Sequence, residues 1–179
     1  METAFAGIMI ETVQGDITQQ KDVEAVVNAA NAELRSGAGV AGAIHRAAGP
    51  ELEKVCRPLA PISPGEAVIT EAFNLPNEWV IHCLGPVYGR DKPENQLLAS
   101  CYKQALQLAE QHQVSSIAFP AISTGIFGYP LTDAARVIFS TIKEKAPELS
   151  SVEHIRLVLY GQSDLRVVEE VLEEFLQLE

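Results

Sequence analysis

Positive charge is scarce in this chain. Thirteen lysines and arginines face 24 aspartates and glutamates in 179 residues, for a formal net charge of −11. That balance argues against a basic surface for nucleic acid or any general polyanion. Long apolar runs are also missing. Runs such as Ile117 to Ile122 have strand length, far short of the roughly 20 residues of a membrane-spanning helix, so no membrane association is expected. The opening residues METAFAGIMIETVQGD carry neither a basic segment nor a cleavage site, so no signal peptide is predicted. Cysteines number three, Cys56, Cys83 and Cys101, widely spaced and without a CxxC pair. This excludes a disulfide framework and zinc-ligand spacing. It suits buried free thiols in a reducing compartment, and the predicted location is the cytoplasm.

No repeat, low-complexity tract or dividing linker is present, so residues 1–179 read as one domain. Hydrophobic residues make up 47% of the chain, enough for a sizeable core. The pattern alternates strand and helix. Strands are predicted over Ile8 to Val13, Ala25 to Val27, Glu66 to Ala72, Trp79 to Cys83, Ser116 to Pro120 and His154 to Tyr160. Helices are predicted over Val40 to Ala48, Glu51 to Arg57, Glu94 to His112, Leu131 to Lys145 and Asp164 to Leu178. The helix from Glu94 places Leu97, Leu98, Cys101, Ala105 and Leu108 on one side. The turn between the third and fourth strands predicts an antiparallel pair. The acidic residues of the last helix read as a solvated face. Alternating elements of this kind predict an α/β fold with helices on both faces of a mixed sheet. Ligands of such folds lie beyond the carboxyl ends of parallel strands.

Two glycine loops follow predicted strands. The first belongs to AVVNAANAELRSGAGVAGAIHRAAG, Ala25 to Gly49, where a short strand leads through Asn28 and Asn31 to Gly37 and a small-residue helix. Glycine N–H groups running into a helix N-terminus make an anion site, and an adjacent asparagine can orient a ribose or a water. The letters Gly37 to Gly42 match GxGxxG, but Asn28 to Ser36 separate them from the strand, unlike a dinucleotide fingerprint. No GxxxxGK[ST] occurs. The second loop, PAISTGIFGYP, spans Pro120 to Pro130. Its small residues Ser123, Thr124, Gly125 and Gly128 can turn N–H groups to a phosphate, and Phe127 can cover a sugar. A tight strand-to-helix connection would also explain those glycines. Two such loops on one sheet edge favour a diphosphate clamp built from backbone dipoles.

Taken together, GDIT (Gly15 to Thr18), VVNAAN (Val26 to Asn31), GAGVAGAIHRAAG (Gly37 to Gly49), GEAVIT (Gly65 to Thr70), VIHCLGPVY (Val80 to Tyr88) and FPAISTGIFGYP (Phe119 to Pro130) resemble the macro domain family. They stand in family order over nearly the whole chain, and the MacroD-type branch is the most similar. The resemblance implies a three-layer α/β/α sandwich, with a mixed and mostly parallel central sheet, that binds ADP-ribose or an ADP-ribosylated protein. It implies that Asp16 accepts the adenine amine, with the Ile17 N–H beside it and Tyr160 packed on the ring. Gly37, Gly39 and Val40 would approach the diphosphate and distal ribose. Ser123, Thr124, Gly125, Ile126 and Phe127 would form the other wall, and Asn31 would hold the distal ribose as the catalytic residue. No metal or cofactor is implied.

One position departs from the pattern. MacroD-type hydrolases usually carry a loop aspartate where this chain has Ala41, a residue similar to that of viral macro domains, which are also regarded as hydrolases. Alanine can neither position nor activate water. Asn31 remains, and a substrate phosphate can act as an internal base. Two readings therefore stay open, an ADP-ribosyl ester hydrolase and a non-catalytic ADP-ribose reader. His45 follows Ala41 by four residues and can share its side of the helix, although a structural role is the plainer reading. The same holds for His82.

Overall fold

The computed structural model describes residues 1–179. Seven strands form one sheet: β1 (Glu2–Phe5), β2 (Ile8–Gln14), β3 (Ala25–Ala29), β4 (Ala67–Glu71), β5 (Trp79–Cys83), β6 (Ser116–Phe119) and β7 (His154–Leu159). Their order is β1-β2-β7-β6-β3-β5-β4. The inner pairs are parallel, and antiparallel β1 and β4 close the two edges. The predicted β4–β5 pair is present, with Ile69 opposite Ile81. β1 was not anticipated, because ETAF buries only Phe5. Its turn into β2 places Ala6 and Gly7 at positive φ, 52° and 82°.

Five α-helices cover the sheet: α1 (Gly39–Ala48), α2 (Glu51–Cys56), α3 (Glu94–Gln111), α4 (Leu131–Lys145) and α5 (Gln162–Leu176). Alternation along each inner strand assigns the faces. Ala25 and Val27 of β3, Ile81 and Cys83 of β5, and Ile117 and Phe119 of β6 join the larger core beneath α3, α4 and α5. Val26, Val80 and Ala118, one residue out of phase, join the smaller core beneath α1 and α2 with Ile44 and Leu52. The three layers follow from that phase. In α3 the buried stripe is rotated from the prediction towards Tyr102 and Leu106, and Leu97 and Leu108 are half-buried at its flanks.

The topology creates the cleft. β3 and β6 are neighbours, yet the chain leaves β3 for α1 on one face and leaves β6 for α4 on the other. Connections that part in this way open a crevice beyond the strand ends.

Candidate functional site

The crevice has two compartments. The larger, about 540 Å³, runs from Asp16 and Ile17 along α1 to Tyr160 at the end of β7. The smaller, about 270 Å³, is bounded by Asn31, Ala41, Ser123, Ile126 and Phe127. Gly39, Val40, Ala121 and Gly125 line both, so the two glycine loops meet where the compartments join.

Backbone chemistry defines that junction. α1 starts at Gly39 behind Ala38, which makes no side-chain cap. The N–H groups of Gly39, Val40 and Ala41 have no protein acceptor. Gly39 has φ 60°, a left-handed conformation that glycine adopts without strain. Across the cleft, the N–H groups of Gly125, Ile126 and Phe127 also meet no protein acceptor. Unpaired donors at a helix N-terminus facing a second set in a loop suit an anion.

The loops are held from behind. The fully buried Tyr102 of α3 donates its hydroxyl to the Pro120 carbonyl at 3.0 Å and accepts from the Ile122 N–H at 3.2 Å. The Tyr88 N–H donates to the Phe127 carbonyl at 2.9 Å. A Cβ at Gly85 would overlap Ser123, which itself sits at φ 69° with its hydroxyl buried and unpartnered. A Cβ at Gly42 would overlap the Gly37 carbonyl, so that glycine lets the first loop fold against α1. Sequence reading did not single out Tyr102 or Gly85; the signals were the helical face of α3 for Tyr102 and the motif VIHCLGPVY for Gly85.

The predicted site residues divide. Asp16 lies in the larger compartment, and its Oδ1 accepts from the Thr18 N–H at 2.9 Å and the Thr18 hydroxyl at 2.7 Å. It is thus a cap of the following turn that keeps Oδ2 for another donor. Tyr160 is 89% exposed at the rim and Ile126 is 88% exposed at the other end. Thr124 lines the larger compartment. Asn31 lines the smaller one, but its amide is also a loop staple: Oδ1 accepts from the Arg35 N–H at 3.0 Å and Nδ2 donates to the Arg35 carbonyl at 2.8 Å. Gly37 lines neither compartment; its carbonyl is turned to Gly42. Arg46, not singled out by sequence, lines the larger one.

Asn28 and the two histidines lie away from the cleft. β3 extends through Ala29, two residues beyond the prediction. Asn28 therefore stays in the strand, and its Nδ2 donates to His82 Nδ1 at 3.1 Å. His82 Nε2 then faces the Thr70 hydroxyl at 2.9 Å. Burial, with His45 nearby, pushes His82 down to about 3. His45 is buried, its Nε2 unpartnered and its basicity lowered by desolvation. The fold brings Cys56 Sγ within 3.8 Å of His82 Nε2, a pairing the sequence did not reveal. Burial raises that thiol to about 11, so the pair is neutral and is no activated nucleophile.

A family model described as Macro domain matches residues 27–138. The chain belongs to the macro domain family. A relative from Cronobacter sakazakii named O-acetyl-ADP-ribose deacetylase is 43% identical over 171 residues, 93% of this chain and 94% of that protein. The Oceanobacillus iheyensis macrodomain solved with ADP superposes with a TM-score of 0.94 at 37% identity, covering 100% of this chain and 97% of that one. The Trypanosoma brucei macrodomain in complex with ADP-ribose gives 0.85 at 32% identity, covering 91% of this chain and 68% of that one. In this macro domain Ala41 lines the smaller compartment, whose lining contains no titratable side chain.

Proposed function

We propose that this macro domain binds ADP-ribose, free or attached to protein, and hydrolyses esters of its distal ribose. The observation that carries the reading is the junction of two compartments at unpaired N–H groups from both loops. A diphosphate at that junction sends the adenosine arm into one compartment and the distal ribose into the other. Adenine then lies in the larger one, its amine donating to Asp16 Oδ2 beside the Ile17 N–H, with Tyr160 closing over the ring. Val40, Ser123, Gly125 and Phe127 flank the distal ribose, and Asn31 orients it. The ADP of the Oceanobacillus macrodomain and the ADP-ribose of the Trypanosoma macrodomain support this ligand class.

Hydrolysis adds one water to the ester carbonyl and releases ADP-ribose and a carboxylic acid. Loop N–H groups stabilise the developing oxyanion, and Asn31 orients the water. The smaller compartment supplies no general base, so a ligand phosphate takes the proton. The name of the Cronobacter relative supports this reaction class. The same lack of a base favours a second reading, a reader without turnover.

The test is incubation with O-acetyl-ADP-ribose and with a glutamate-linked ADP-ribosyl peptide, alongside calorimetry with free ADP-ribose. Release of ADP-ribose from either substrate, reduced at least tenfold in Asn31→Ala when binding is saturated, is expected. Binding of ADP-ribose with both substrates intact after hours would leave the reader. Because the Asn31 amide staples Arg35, the variant's affinity is measured separately.

A further inference from the structure

Three charged side chains line the larger compartment: Asp16, Asp164 and Arg46. The smaller compartment has none. Arg46 is therefore the one cation facing the cleft. It is exposed and makes no ion pair or side-chain hydrogen bond within the protein, unlike Arg57, Arg90, Arg136 and Arg156.

Its placement is specific. Gly39, Ala43 and Arg46 succeed one another on the open face of α1, at i, i+4 and i+7. Helical side chains lean towards the N-terminus, and Arg46 does so: its Nη1 lies 2.9 Å from the point a Gly42 Cβ would occupy. The absent side chain at Gly42 leaves room for the guanidinium. It thus lies beside Gly42 over the first turns of α1, the helix whose Gly39, Val40 and Ala41 N–H groups have no acceptor and which lines the larger compartment with Gly39, Val40, Ala43 and Arg46. A cation at the positive end of a helix is unfavourable unless an anion joins them. Asp16 and Asp164 share the compartment, yet neither pairs with Arg46.

We infer that Arg46 is the charge-selecting residue of the cleft, closing over the ligand diphosphate from the solvent side. This rests on the ADP-ribose reading above. The guanidinium offsets the repulsion that Asp16, Asp164 and the net charge of −11 impose on an anionic ligand. It adds charge-assisted hydrogen bonds to those of the backbone. Its contribution depends on phosphate charge and is screened by salt.

The experiment is calorimetry with ADP-ribose at low and high salt, with adenosine followed by NMR titration as the phosphate-free comparator. The unaltered chain, Arg46→Gln and Arg46→Lys are compared, with melting curves to confirm folding. Arg46→Gln is expected to weaken ADP-ribose about tenfold at low salt, to flatten the salt response and to leave adenosine unchanged. Arg46→Lys retains part of the affinity. An Arg46→Gln affinity within twofold of the unaltered chain, with the same salt response, overturns the inference alone. So does an equal loss for adenosine and ADP-ribose, which marks a merely structural role. Failure of the unaltered chain to bind ADP-ribose overturns the functional reading and this inference with it.

Discussion

Ala41 closes the floor of the smaller compartment with 4% of its surface exposed. A methyl group there leaves ligand contacts intact and supplies no acid or base. An aspartate would be partly desolvated, which raises its basicity, and would stand beside the proposed ester. Ala41→Asp is therefore expected to raise the rate of ester hydrolysis at least tenfold and to give it a pH dependence. Single-turnover rates across pH 5 to 8 check this. An unchanged rate would mean that Asn31 and the ligand phosphate already carry the chemistry. The amide atoms by which Asn31 would orient the ribose already bind the Arg35 backbone.

At the scale of elements, the site is a meeting of two connections that reach the same place from opposite faces of the sheet. Each is held by a close approach that only glycine permits. A side chain at Gly42 would collide with the Gly37 carbonyl, and one at Gly85 with Ser123. Neither collision is with the end of a long flexible side chain, so the loop itself must move. Gly85→Ala is expected to destabilise the protein by about 1–3 kcal/mol. It is also expected to weaken ADP-ribose binding by displacing the loop that Tyr102 anchors through Pro120 and Ile122. Chemical denaturation and calorimetry measure the two effects. Wild-type binding in a destabilised variant would show that the second loop does not hold the ligand.

The whole molecule carries a buried polar ladder across three strands, Asn28 of β3, His82 of β5 and Thr70 of β4. Desolvation and nearby His45 hold His82 near 3 in the folded chain, against 6.5 ordinarily. The unfolded chain therefore binds the extra proton first as pH falls. Stability from this group is complete above about pH 6.5 and is lost progressively down to about pH 3, with about 2 kcal/mol gone by pH 5. His45 shifts in the same direction. Asp22, held at about 2 chiefly by its hydrogen bonds to Arg156, adds a loss only below its ordinary value of 3.8. Melting temperatures should fall between pH 6.5 and pH 4, less steeply in His82→Gln than in the unaltered chain. Equal slopes would remove His82 from the account.

Periodicity, glycine placement and residue type carried the local part of this molecule. The helix Leu131–Lys145 stands at its predicted bounds. The strand alternation already contained the two core faces, because burial phase is a property of neighbouring residues. The motifs carried the family, since short segments such as GDIT and FPAISTGIFGYP are contiguous. Contacts between distant segments were not legible. Tyr102 meets Pro120, Cys56 meets His82 and Gly85 meets Ser123 only after helices dock on a sheet. Asn28 was expected just beyond the strand, but two more residues of pairing with β5 keep it in the sheet, facing His82. Arg46 was not singled out by the sequence, because the cleft beside it exists only where the connections after β3 and β6 part to opposite faces of the sheet. Chain-local patterns set which elements form and which backbone donors stay free. Packing alone decides which side chains share a cavity, because that depends on where the chain crosses itself.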